Sequence, residues 1–389
     1  MDNIAMERAL AHFKTLLEEQ NARVERMENA EPPVDFSKKD KIIIGVCDGD
    51  GIGPIITAEA SRVLEKLLAK EIASGKVEIR QIQGLTIERR TELGCAIPPD
   101  TLEAIRACDV ILKGPTTTPK GGTLESANVA MRRELDLYAN VRPVSVPSLG
   151  IDWTFYRENT EGEYVLGSRG IEVPGMAVDF KVTTDAGTRR IVRAAYEYAR
   201  KNGKDNMAIV TKANIMKKTD GKFSAIAAEI AKEYPEIESE EWYIDIMTAN
   251  LLKSPLREKF KVFVLPNLYG DIITDLAAQI QGGVGTAGSA NIGDRYAMFE
   301  AIHGSAPRMI ERGMGEYANP ASMLKAAVML LRHIGMQDKA AALDGALDTC
   351  METEKRLVIT GRPDGASCRE FGDYVMEKLE IMQNSCKKL

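Results

Sequence analysis

Apolar and polar positions along this chain follow two alternating rhythms. Met6, Leu10, Phe13, Leu17, Val24 and Met27 recur at spacings of three and four, with Gln20 interrupting the stripe. Residues 1–30 are therefore predicted as a helix set apart from the remainder. Such a stripe suits a short coiled coil or a helix packed on the body, and packing is the preferred reading. Glu31-Pro32-Pro33 ends it, because proline lacks an amide donor and disfavours helix at the residue before it. From Lys41 onward, short apolar runs and helical stretches take turns. Ile42–Val46, Val77–Ile82, Val110–Leu112, Leu137–Val141, Ala208–Val210 and Val262–Leu265 are predicted as strands. Helices are predicted from the turn at Pro54 to about Leu68, from Pro98-Pro99-Asp100 onward, and over 186–201, 221–233 and 322–333. Strands alternating with helices predict an α/β protein with a largely parallel sheet.

Composition narrows the function. In 389 residues, 44% are hydrophobic and 28% charged, which is enough apolar surface for a core. Apolar runs such as Ala326–Leu331 are too short to span a bilayer. Fifty-one basic against 57 acidic side chains give a net charge of −6, which argues against a nucleic-acid-coating protein. Cysteines at 47, 95, 108, 350, 368 and 386 form no CxxC pair and are expected as reduced thiols in a cytoplasmic protein. Only three histidines occur and there is no HExxH, so any metal site is expected to use carboxylates. The acidic N-terminus does not look like a signal or transit peptide.

Several segments carry candidate chemistry. Ser126, Asn128, Arg132, Arg133, Arg142 and Arg157 group arginines with small hydrogen-bonding residues. Such a set suits a substrate with several carboxylates, or else forms a solvated basic face. Asp271 and Asp275 lie one helical turn apart after the strand run Lys261–Leu265, as a divalent-cation site or as a cap and an exposed residue. Lys212, just past a strand, is a general acid/base, a carboxylate anchor or an exposed loop lysine. The turn at 49–53 reads GxGxG and not the dinucleotide fingerprint GxGxxG. The glycine-bearing segment 282–291 and His303-Gly304-Ser305-Ala306-Pro307 are further loops able to approach a nucleotide.

Together and in order, GDGIGP at 49–54, the arginine segment, RENTEGEY at 157–164, TKANIMK at 211–217, PNLYGDIITD at 266–275 and HGSAP at 303–307 resemble the β-decarboxylating dehydrogenases. This is the family of isocitrate and isopropylmalate dehydrogenases, and the resemblance runs from about residue 41 to about 380. It implies a doubly wound α/β large domain formed by 39–137 with 297–389 and a smaller α/β domain over 138–296, with a clasp region near 165–200. Residues 1–38 are then an N-terminal helical extension and linker.

The resemblance further implies oxidative decarboxylation of isocitrate to 2-oxoglutarate and CO₂ by a homodimer with shared active sites. Ser126 and Asn128 match the isocitrate pattern, where isopropylmalate enzymes place more apolar residues. Ser126, Asn128, Arg132, Arg142, Arg157 and Asn214 would bind substrate, and Tyr164 and Lys212 would move protons. Asp245 (read as helical with Trp242 and Tyr243), Asp271 and Asp275 would hold Mg²⁺ or Mn²⁺. Lys212, Asn214 and Asp245 would act from the partner subunit. Thr117, Thr118, Asn291, Glu300, His303, Gly304, Ser305, Ala306, Pro307, Arg308 and Asn319 would bind the cofactor. The cofactor is expected to be NAD, because the Tyr and Arg of bacterial NADP enzymes find no match in Thr360–Gly365; NADP is the alternative, through Arg308 or Arg362. Homoisocitrate or isopropylmalate dehydrogenase and a regulatory subunit are the competing readings. Ile55 and Glu125 depart from the residues common in relatives.

Overall fold

The apolar run Ile42–Cys47 forms the first strand of the computed structural model, which describes residues 3–119, 124–167, 169–252, 255–283 and 287–386, with side chains to 382. In chain order the strands are β1 Ile42–Cys47, β2 Val77–Ile82, β3 Val110–Lys113, β4 Ala139–Val146, β5 Ile151–Glu158, β6 Ile171–Val173, β7 Met176–Val178, β8 Asn206–Thr211, β9 Glu238–Tyr243, β10 Val262–Leu265, β11 Gly288–Ile292 and β12 Ala297–Ala301. The chain divides into two compact units, residues 1–32 with 136–277 and residues 33–135 with 278–389. Residues 278–296, expected in the central body, thus group with the chain ends. The N-terminal helix groups with the central body and does not stand apart.

In the unit formed by 33–135 and 278–389, β1 pairs in parallel with β2 and β3, β12 pairs in parallel with β3, and β11 runs antiparallel to β12. β3 and β12 are buried along their whole length, as a central sheet position requires. The helix Ala321–His333 lies on β3, β11 and β12 and is buried nearly all round. Its alanines allow close approach: a Cβ at Gly288 would stand 2.5 Å from the Ala326 nitrogen. Gly285 lies outside the described residues, and part of the predicted 282–291 loop is the strand β11. β11 escaped prediction because Gly-Ser-Ala-Asn carries no β-branched signal.

In the unit formed by 1–32 and 136–277, β4 runs antiparallel to β5, and β5, β10, β8 and β9 follow in parallel. Trp153, Phe155, Phe260 and Phe263 build its core, with Phe155 stacked on Phe263 at 4.6 Å. The helices Asp185–Lys201 and Thr219–Ala231 pack together, and the N-terminal helix Asn3–Glu28 packs on the first of them. β6 and β7 form a separate two-stranded hairpin within the 165–200 region, of which Ser168 lies outside the described residues. Trp242 and Tyr243, read as helical, close β9; the helix is Ile244–Asn250 and carries Asp245. β9 is an edge strand in which three of six residues are glutamates, so alternation could not reveal it.

Among the described residues no helix is long and apolar enough to cross a membrane. Cys47, Cys95, Cys108, Cys350 and Cys368 are unpaired thiols, and burial pushes Cys47 and Cys368 up to about 12. The side chain of Cys386 lies outside the described residues.

The imidazole of His333 meets the rings of Phe36 and Phe299, with centroids 5.2 and 5.5 Å away. Burial pushes its pKa down to about 4. The unfolded chain titrates near pH 6.5, so it binds the proton more readily than the folded one. The contribution of neutral His333 is complete above about pH 6.5 and is lost as pH falls toward 4. Between pH 7 and pH 4 the protein is expected to lose up to about 3 kcal/mol more stability than His333→Phe. Urea midpoints across that range check this, and parallel pH profiles would refute it.

Candidate active site

Three parallel strands end side by side, and each releases one of the motif segments. Arg157 at the end of β5 is in register with Leu265 at the end of β10. β8 ends at Thr211 opposite Tyr243, which leads into the Asp245 helix. Chemistry at the carboxyl ends of parallel strands is the usual arrangement of α/β folds.

The helix Asn267–Gln281 starts directly after Pro266, and its first turn receives the Arg157 guanidinium. Arg157 is fully buried. Its Nε and Nη2 donate to Asn267 Oδ1 at 2.9 and 2.6 Å, and its Nη1 pairs with Asp271. Asn267 Nδ2 in turn donates to the Glu161 carbonyl at 3.0 Å. Tyr164 Oη donates to Asp271 Oδ2 at 2.9 Å, and the Arg157 guanidinium stands 5.3 Å from the Tyr164 ring centroid. One turn on, Arg142 Nη1 donates to Thr274 Oγ1 at 2.6 Å and Asp275 Oδ1 at 3.0 Å. The two aspartates keep 40% and 63% of their side chains exposed, so ligands can reach both carboxylates.

Lys212 Nζ pairs with Asp245 Oδ1 at 2.6 Å, and this hydrogen bond holds the Asp245 carboxyl below the usual carboxylate range. Asn214 follows in an exposed turn. Among the described residues no three His, Cys, Asp or Glu side chains gather as a metal group within one chain. Sequence reading missed Lys181, a lone lysine beyond the hairpin that belongs to no motif. Its buried Nζ lies 2.6 Å from Asp220 and 3.4 Å from Glu163, and donates to Tyr269 Oη at 3.1 Å. Asp220 accepts the Lys212 amide at 2.8 Å, so one ammonium links three motif segments.

The other unit holds the remaining candidates. Asp50, in the GxGxG turn, accepts the amides of Ile87 and Thr117, both at 2.7 Å. Gly51 has φ +60°, and a Cβ there would stand 2.0 Å from the Ser305 carbonyl oxygen. The turn therefore serves to seat one backbone segment on another. Thr117 Oγ1 and Ser305 Oγ are hydrogen-bonded at 2.6 Å, while Thr118 is exposed. His303 Nδ1 lies 3.0 Å from the Gly304 carbonyl, and burial lowers its pKa. Ala306 has φ +45° and precedes the short helix Pro307–Glu311, which carries exposed Arg308. Asn319 caps the Ala321 amide at 2.9 Å.

Asn291 and Glu300 sit on the paired strands β11 and β12 and not on loops. Glu300 Oε1 accepts from Asn291 Nδ2 at 2.8 Å, and Oε2 pairs with Lys113 at 3.0 Å. Arg132 lies 3.7 Å from Glu300. Burial alone would raise the Glu300 carboxyl, but Lys113 and then Arg132 overcome it and hold it at about 2. Lys113 is fully buried and was also missed, because it reads as the polar end of a strand. Ser126 stands at the N-cap position of the helix Ala127–Glu134, and Asn128 Oδ1 accepts from Thr116 Oγ1 at 3.0 Å. Glu125 is bidentate to Arg133 at 2.5 and 3.1 Å, which neutralises it locally.

Comparison with known proteins places these segments. The isocitrate/isopropylmalate dehydrogenase family matches residues 43–375, nearly all the chain beyond the N-terminal helix. The chain belongs to that family. Its members are oxidoreductases that use NAD or NADP and a divalent metal. The NADP isocitrate dehydrogenase of Rickettsia prowazekii is 41% identical over 79% of this chain, which spans 63% of that relative's length. The mitochondrial NAD isocitrate dehydrogenase subunit 2 of Schizosaccharomyces pombe is 38% identical over 77% of both chains. Among solved structures, the isocitrate dehydrogenase of Methylococcus capsulatus is 36% identical, with a TM-score of 0.77 over 87% of this chain and 99% of its own. These family matches bear out the sequence resemblance and the α/β fold read from it.

Gly270 tests how the arginine is seated. A Cβ there would stand 2.4 Å from Arg157 Cγ and 2.6 Å from its Cβ, too near the backbone for the side chain to swing aside. Gly270→Ala is expected to cost about 1–3 kcal/mol by overpacking and to displace the guanidinium. Denaturant midpoints check this; an unchanged midpoint would show that Arg157 has room to move.

Proposed function

We propose that the chain catalyses the oxidative decarboxylation of isocitrate to 2-oxoglutarate and CO₂ with reduction of a nicotinamide cofactor. The observation that carries this reading is the convergence of a buried arginine and a tyrosine hydroxyl on Asp271, with Arg142 and Asp275 one turn away. Guanidinium groups bind carboxylates bidentately, and Arg142 and Arg157 stand here beside a proton-carrying phenol, with donors turned to Asp271 and Asp275 that substrate carboxylates would have to share. Arg132, Ser126 and Asn128 are assigned to the same substrate, and a hydroxyl and an amide suit a third carboxylate better than an apolar group.

The donor chemistry fits a hard divalent cation. Asp271 and Asp275 present carboxylate oxygens on one helix face, and Mg²⁺ or Mn²⁺ prefers oxygen ligands with open positions for water and substrate. Asp245 is assigned as a third ligand contributed by a second copy of the chain, together with Lys212 and Asn214, which makes the working unit a homodimer. When bound, the metal supplies Lewis acidity at the substrate oxygens and the nicotinamide accepts the hydride. The chain's own groups do the rest. The arginines fix the carboxylates, Lys212 takes the hydroxyl proton from C2, and Tyr164 returns a proton to C3 once CO₂ has left. NAD is proposed as the cofactor. The exposed guanidinium of Arg308 beside HGSAP favours NADP as the second reading, and the bacterial relatives carry NADP in their names.

Initial rates with isocitrate, homoisocitrate and isopropylmalate, each with NAD and NADP in Mg²⁺, test the assignment. Isocitrate is expected to win, and preference for another acid overturns the reading. Tyr164→Phe is expected to keep isocitrate binding and lose turnover by about 10²–10⁴-fold. Normal turnover in that variant would remove Tyr164 from proton transfer.

A further inference from the structure

The N-terminal helix lies outside the family-matched residues 43–375, yet it reaches into the segment that carries Arg157 and Tyr164. Arg23 Nη2 donates to Glu161 Oε1 at 2.6 Å, with only 14% of the arginine and 3% of the glutamate side chain exposed. Glu161 also accepts the Thr184 amide at 2.9 Å and the Thr184 hydroxyl, at the N-cap of the helix Asp185–Lys201. The fit leaves no slack: a Cβ at Gly187 would stand 2.3 Å from Glu161 Oε1.

A second buried carboxylate lies next to it. Glu158 accepts the amides of Thr160 and Glu161 at 2.9 and 2.6 Å, and the Thr160 hydroxyl at 2.8 Å. Burial, then the charge of Glu161, push the Glu158 carboxyl up to about 7. Arg190 stands by this pair but is shared, since it is bidentate to Asp136 at 2.6 and 2.8 Å and donates to Thr160 Oγ1 at 3.0 Å. Among the described residues, Arg23 is therefore the cation in direct contact with Glu161.

The helix is fixed to deliver that cation. Gln20 Oε1 orients Arg23 Nε at 3.0 Å. Glu19 pairs with Arg169, His12 Nε2 donates to the Arg169 carbonyl at 2.9 Å, and Phe13 stacks on Phe180 at 5.1 Å. These contacts flank the β6–β7 hairpin on both sides in sequence.

We propose that Arg23 is a positioning residue for the substrate segment: by pairing with buried Glu161 it holds residues 157–164, and so Arg157 and Tyr164, in their working geometry. The N-terminal helix is then a working part of the site. The kinetic part of this proposal rests on the isocitrate reading; the structural part does not.

The test compares the full chain with Arg23→Met, Arg23→Lys, Glu161→Gln and Arg23→Met/Glu161→Gln, at a temperature where circular dichroism shows each folded. Hydrogen exchange without substrate is read on peptides covering 157–164 and on β10 as the control. Arg23→Met is expected to speed exchange in 157–164 and not in β10, and to raise KM for isocitrate by roughly ten- to a hundredfold with a smaller change in kcat. The double variant is expected to recover most of both, because a neutral amide needs no cation; Arg23→Lys should recover part. A helix that only adds stability would lower the melting temperature of Arg23→Met and leave exchange in 157–164 and KM unchanged, which overturns the proposal. A double variant no better than the single one also overturns it. If the wild type does not turn over isocitrate, the functional reading fails and the exchange comparison still decides the role of Arg23. If Arg23→Met does not fold, Glu161→Gln and Arg23→Lys decide it: each disturbs the buried pair and is expected to speed exchange in 157–164 and not in β10, and unchanged exchange in both overturns the proposal.

Discussion

A guanidinium buried at the end of a parallel strand must find its acceptors inside the fold, and Arg157 finds them on one helical turn. That requirement accounts for much of the PNLYGD segment. Asn267 supplies the oxygen for Nε and Nη2, Gly270 leaves room for the aliphatic stem, and Asp271 supplies the counter-charge. Removing one partner of a buried pair leaves an uncompensated charge, which costs about 3–5 kcal/mol, whereas the pair itself adds little stability. The arrangement therefore acts as a constraint on geometry. It fixes the start of the helix Asn267–Gln281 relative to β5, and Tyr164 is aligned because it shares the same aspartate.

The other unit uses the same device. Lys113 at the end of β3 is sealed from solvent and pairs with Glu300 on the neighbouring strand β12. Glu300 then orients Asn291 and stands near Arg132. Asp50 does comparable work with backbone partners, tying the glycine turn to the 115–117 loop. In each unit a buried charge at a strand end sets the position of side chains assigned to ligands.

Much of this was legible in the sequence, and what was not follows a pattern. Apolar runs such as Ile42–Val46 and Val262–Leu265 announced their strands, and motif order announced the family. β5 was missed because Ile-Asp-Trp-Thr-Phe-Tyr-Arg-Glu ends in charged residues that are nonetheless buried. Lys113 and Lys181 were missed for the same reason: periodicity treats a lysine as exposed, and only tertiary pairing shows it buried. The glycine turn was correctly denied the dinucleotide fingerprint, but its purpose was visible only when Gly51 met the Ser305 carbonyl. The helical stripe of residues 6–27 was read from its apolar positions, yet the residues that dock it most specifically are polar, Arg23 and Glu19.

On the proposed reading, a chain of net charge −6 has to receive an acidic substrate, and charge balance within the site bears on how. Two carboxylates one turn apart, with Cβ atoms about 5–6 Å from each other, repel by about 3 kcal/mol at an effective dielectric near 20. Arg157 and Arg142 each offset one of them, so the cluster is neutral by itself. On the proposed reading, isocitrate brings three negative charges and the metal two positive ones, which leaves one negative charge over. Lys113 and Arg132 share the single charge of Glu300, so that group carries one positive charge over, whereas Lys212 is balanced by Asp245. On the same reading, an Asp245 of a second copy that turns to the metal leaves its Lys212 without that partner, and the two together add no net charge. On that reading, metal binding and the availability of the amine would be coupled through one aspartate.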